Sequence, residues 1–122
     1  MTILTQGFKT AEFLVSEANG CRSRGSGTVD ATGTPEGHVA GTVLGQRTAD
    51  GVYAIHDPAA ADGTENPAAI LYEGIGAVSE VRTLIERDAE INTDHLTFIT
   101  TITPAEQTAA LSALAALGLI ER

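Results

Sequence analysis

Residues 41–72, GTVLGQRTADGVYAIHDPAAADGTENPAAILY, constrain the fold of this chain more than any other stretch. Two short apolar runs flank an Asp50-Gly51 pair, a long acidic loop follows, and a third apolar run closes the stretch. The pattern predicts a strand over 42–48, a turn at 49–51 and an antiparallel return over 52–56. Asp-Gly suits such a turn because tight hairpins require positive φ. Residues 57–67 read as a loop closed by prolines, and 68–72 as the next strand. Catalytic groups are nearly absent here: there is one histidine, no cysteine and no nucleophile beside a base. Residues spent this way suit a scaffold or a binding surface.

The flanks extend the β pattern. Residues 80–86 and 88–91 predict further strands, the first with Val81, Thr83 and Ile85 alternating on one face. Residues 96–102, rich in Thr, Phe and Ile, read as a strand or as the approach to a final helix. Thr103-Pro104-Ala105-Glu106 starts that helix with a capping residue, a proline at the first helical position and a glutamate placed for a capping box. Leu111, Leu114, Ala115 and Gly118 follow helical spacing, and Gly118 provides a left-handed stop. Leu119 and Ile120 are then free to pack back onto a sheet. Residues 19–41 read as loop, with only Thr28 and Val29 suggesting a strand. Residues 10–17 read as an edge strand, or as an extended arm that orders on a partner. In that second role, the Phe8 to Val15 arm would pair as a strand with an exposed sheet edge on another protein, backbone bonds holding it and alternate side chains specifying it.

A chain of 122 residues predicts one domain. Three Phe, two Tyr and no Trp leave its core to Ala, Val, Ile and Leu, so self-association is one way to bury more surface. The net charge is −9, and no Lys or Arg lies between Arg47 and Arg82, where Asp50, Asp57, Asp62, Glu65, Glu73 and Glu80 fall. Such a surface repels phosphate and argues against nucleic-acid binding; it suits solubility, or an outward face that resists adhesion. Cys21 stands alone, without disulfide partner or metal spacing, although nearby arginines would favour its thiolate. No signal peptide or membrane span is legible, so synthesis in a cytoplasm and no membrane partner are expected.

Several constellations fall short of a site. His38, His56 and His95 lack the close spacing of metal-ligand pairs, so no metal or other cofactor is expected. The glycines at 25, 27, 33, 37 and 41 match no phosphate-loop pattern. Glu86, Asp88, Glu90 and Asp94 lack the glycine and distal glutamate of a calcium loop. No serine sits in a G-x-S-x-G elbow. The expectation is a non-enzyme. Its rivals are a small β-barrel metal protein using the three histidines, and a ligand-binding barrel with a pocket lined by Tyr53 and Tyr72.

The succession FLVSEANG, SRGSGTV, GTVLG, TADGVY, DPAAADGTENPAAILYE, ERDAEIN and TPAEQTAALSALAALGLIER resembles the lambda-type phage head decoration proteins across nearly the whole chain. The resemblance implies a mainly β (α+β) fold, a small β-barrel or β-sandwich-like domain over 21–122 with an N-terminal arm over 1–20 and a C-terminal helix. It implies homotrimers on the outer surface of the virion, at three-fold positions of the expanded head, bound to the major capsid protein and reinforcing the shell against packaged DNA. The arm carries the capsid contact in such proteins, which places it here around Phe8, Phe13, Leu14 and Val15. The long, well-capped C-terminal helix departs from the best-known relative, so no trimer contact is carried over to particular residues.

Overall fold

The computed structural model describes residues 9–20 and 22–122. Its strands are β1 (Leu14–Glu17), β2 (Arg24–Asp30), β3 (Val43–Gln46), β4 (Tyr53–Ile55), β5 (Pro67–Leu71), β6 (Ser79–Ile85), β7 (Ala89–Ile91) and β8 (Leu119–Glu121). One helix, α1 (Pro104–Ala116), precedes β8, and a short 3-10 turn spans Thr93–His95. Strands β2-β4-β3-β5-β6 close into a barrel, while β1-β7-β8 form a separate three-stranded sheet.

The apolar runs are continuous because the strands are buried on both faces. Successive side chains of a strand point to opposite sides. Val43, Ile70 and Ile85 accordingly join one core cluster with Phe13, Ile91, Leu114 and Leu119. Their neighbours Leu44, Ala69, Leu71 and Leu84 join a second cluster with Val29, Tyr53 and Ile75. The second fills the barrel; the first welds the barrel to α1 and the β1-β7-β8 sheet. Along β6, exposure falls from Val81, which is two-thirds exposed, through Thr83 to fully buried Ile85.

Helix α1 begins as expected. Thr103 Oγ1 accepts from the Glu106 backbone N–H, and the Glu106 carboxylate accepts from the Thr103 N–H. Ala110 and Leu114 are its buried residues, with Leu111 packed partly against the same core. Gly118 has φ +88, and β8 then runs parallel to β7, with Leu119 opposite Ala89. Leu119 is buried, whereas Ile120 stays half exposed.

The structure departs from expectation in two places. Residues 24–30, expected to be mostly loop, form the seven-residue strand β2, paired with β6 along its whole length. The glycines that disguise it are steric: a Cβ on Gly27 would come within 2.6 Å of the Tyr53 ring. The β3–β4 turn is longer than a two-residue hairpin. Gly51 N–H donates to the Arg47 carbonyl at 2.9 Å, Asp50 Oδ1 accepts from the Val52 N–H, and only Gly51 has positive φ. Residues 96–102 take the second of their two expected forms, the approach to α1, with one isolated bridge from Thr97 to Thr42 on the way.

Candidate functional site

The placement of the described N-terminal segment, from Lys9 onward, follows from a few bonds. Ala11 N–H donates to the Tyr72 carbonyl at 2.8 Å, and Asn92 N–H donates to the Phe13 carbonyl at 2.7 Å. Between these ties the Phe13 ring is fully buried among Val43, Ile70, Ile91 and Leu114. Leu14 is half buried against the same cluster. The register then slips: Leu14 pairs with Ile91 and Ser16 with Glu90, so Val15 is an extra residue in a β-bulge. Its side chain is 54% exposed.

Of the four side chains expected at a partner contact, Phe8 lies outside the described residues, as does Cys21. Phe13 faces inward, and its bearing on any contact is through the position of β1. Leu14 is divided between core and surface, and Val15 is open. Strand β1 is an edge of its sheet, with β7 on one side only. Such an edge presents unpaired N–H and C=O groups to another chain.

The edge is held by an ion pair that the sequence reading did not single out. Arg24 reaches from β2 to Glu17 on β1 with bonds of 2.6 and 2.9 Å, and its guanidinium lies 4.6 Å from the Tyr72 ring centre. The Arg24 hydrogen bond holds the Glu17 carboxyl below the usual range. Bonds from Thr32, Thr64 and Arg122 lower Asp30, Asp62 and Glu90 respectively. A carboxyl with a depressed folded pKa stabilises the fold above its unfolded value and loses that contribution as pH falls through the folded one. His38 is also lowered, chiefly by burial, so the unfolded chain takes up its proton first. Stability should therefore begin to fall below about pH 6.5 and fall more steeply below about pH 4. Urea midpoints across this range check the profile, and Glu17→Gln should flatten its acid limb.

The remaining candidate groups are dispersed. His38 bridges to Ile75 through its backbone, His56 Nδ1 lies 2.8 Å from the Thr64 carbonyl, and His95 Nδ1 lies 3.2 Å from the Glu12 carbonyl. Among the described residues no group of three His, Cys, Asp or Glu side chains is placed to hold a metal ion. The acidic run is largely paired: Glu86 with Arg87, Asp88 with Arg22 and Glu90 with Arg122. Tyr53 belongs to the barrel core and donates to Glu86 Oε1, while Tyr72 packs against the other cluster under Arg24. They sit in different cores. No described helix is long and apolar enough to cross a membrane.

The site is thus a barrel welded to a small sheet whose edge strand carries a bulged, exposed valine. Residues 3–119 match the family of bacteriophage lambda head decoration protein D. The chain belongs to that family. No curated protein sequence matches it. The head decoration family match takes in β1 through the first residue of β8, so the barrel, the helix and all of the sheet but Ile120 and Glu121 fall within it. Arg24 and Glu17 were missed because their partnership crosses two strands, one of which is hidden in a glycine-rich segment.

Proposed function

We propose that this chain is a capsid decoration protein that binds as a homotrimer at three-fold positions on the outer surface of an expanded phage head. The match to the head decoration family over residues 3–119 is the observation that carries this reading. The partner is the major capsid protein, and the contact lies on the N-terminal segment, from Phe8 through Phe13 and Leu14 to Val15. Phe13 serves it by anchoring β1, and Val15 by meeting the partner. The family is structural, and the role is mechanical. A trimer that bridges several capsid subunits must be broken from all of them before the shell can open under DNA pressure, so weak individual contacts sum to firm attachment. The net charge of −9 suits a surface facing away from DNA.

Co-sedimentation with expanded and unexpanded heads tests the reading. The intact protein should bind saturably to expanded heads alone. Val15→Asp should weaken binding about tenfold or more, as expected for an apolar interface residue turned into a desolvated charge. It should leave the fold nearly unchanged, because Val15 is exposed. Absence of binding to either form of head would overturn the proposal.

A further inference from the structure

Away from β1, a cavity of about 200 Å³ opens between the loop after β4 and the first half of α1. Ala109, Ala110 and Ala113 form an apolar wall, and His56, Glu65, Asn66 and Glu106 supply the polar groups. The space is below the ~300–1,000 Å³ of pockets that hold drug-sized ligands, so its occupant is a small group.

His56 sets the chemistry. Only 3% of the residue is exposed, and its Nδ1 faces the Thr64 carbonyl at 2.8 Å. A carbonyl can only accept, so Nδ1 carries the proton, and in the singly protonated ring Nε2 is the acceptor. Nε2 has no hydrogen-bond partner among the described residues. Glu65 spends one oxygen on the Gly63 N–H and Glu106 one on the Thr103 N–H, which leaves each with a second oxygen. All six arginines are committed to other carboxylates: Arg22 to Asp88, Arg24 to Glu17, Arg47 to Asp30 and Asp50, Arg82 to Glu73 and Glu80, Arg87 to Glu86, and Arg122 to Glu90. Neither Glu65 nor Glu106 has an ion-pair partner among the described residues.

We infer that this cavity binds a primary ammonium carried on a short alkyl chain. Three acceptors and no cation match the donors of an ammonium group, and the alanine wall matches its methylenes. Two sources share this chemistry: a lysine side chain projecting from the capsid, which rests on the decoration reading above, and a free alkylamine, which does not.

Titration of the full-length protein with n-butylammonium at neutral pH, read by NMR of the histidine rings, tests the site. His56 should shift saturably while His38 and His95 stay in place as internal controls. The Glu65→Gln/Glu106→Gln double variant should bind about tenfold more weakly or worse, because two charge-assisted bonds become neutral ones. Glutamine retains an oxygen for the Gly63 and Thr103 N–H groups, so the fold is preserved. No shift at His56, an equal shift with 1-butanol, or an undiminished shift in the double variant would overturn the site. Co-sedimentation of the double variant with expanded heads then distinguishes the sources. Weakened binding identifies a capsid lysine, and unchanged binding assigns the site to a free amine. A capsid that binds neither protein counts against decoration alone, since the amine titration stands without it.

Discussion

Phe13→Ala should destabilise the protein by roughly 3–5 kcal/mol, the usual range for truncating a fully buried phenylalanine. That is a large share of the about 5–15 kcal/mol that typically holds a domain together. The reason is positional as well as volumetric. The Phe13 ring meets barrel residues Val43 and Ile70, sheet residue Ile91 and helix residue Leu114 in one cluster, so its loss leaves a void where three structural units meet. A lower urea midpoint with an unchanged slope would show simple loss of stability. Retention of wild-type stability would mean that the ring is not enclosed as described. Beside Val15→Asp the variant is diagnostic. Val15→Asp should weaken capsid binding and keep its urea midpoint, whereas Phe13→Ala should lower the midpoint and, by loosening β1, weaken binding as well.

Gly41→Ala should cost roughly 2–5 kcal/mol, from placing a Cβ in the left-handed region and forcing it into a packed site. Gly41 has φ +92, and a Cβ there would run into the His95 carbonyl and sit 3.6 Å from a Phe13 ring carbon. The residue cannot shift freely, because its N–H donates to the Leu71 carbonyl and its own carbonyl accepts from the Thr97 N–H, each at 2.9 Å. Gly33 is the control: nothing lies within 4 Å of a Cβ built there, and its φ is not positive. Gly33→Ala should change stability by no more than about 0.5–1 kcal/mol, with stabilisation possible through the less flexible unfolded chain. Thermal melts of the two variants side by side check the contrast, and similar melting temperatures would refute it.

Where local chemistry decides the structure, the sequence was readable. The Thr103–Glu106 capping box, the glycine stop at Gly118 and the apolar runs at β3 and β5 all follow from rules acting over a few residues. Strand β2 was hidden because its composition answers to a distant neighbour: Gly27 is small to admit the Tyr53 ring, and nothing within the run RGSGTVD announces that. The split of the apolar strands between two cores was equally out of reach, since a continuous run does not say what covers either face. In the candidate contact, Phe13 and Val15 are only two residues apart, and both are simply apolar in sequence. Their opposite fates, buried and exposed, come from different local geometry: Phe13 lies in the turn before β1, and Val15 at the register slip against β7. His56, Glu65 and Glu106 converge through the packing of α1 on the barrel, over a separation of 50 residues that no spacing rule covers.

The pairing of β1 with β7 also governs how the molecule bears tension. A tug delivered along β1 runs parallel to the strand and across its hydrogen bonds, so the rungs from Leu14–Ile91 to Glu17–Ala89 are loaded in shear and resist together rather than unzipping singly. Behind them β8 braces the far side of β7, and the Phe13 ring acts as a peg that must be drawn out of its socket before β1 can slide. Through that ring and the Arg24–Glu17 pair, such a force is shared at once among sheet, helix and barrel, so the segment that takes the tug is also the molecule's rivet.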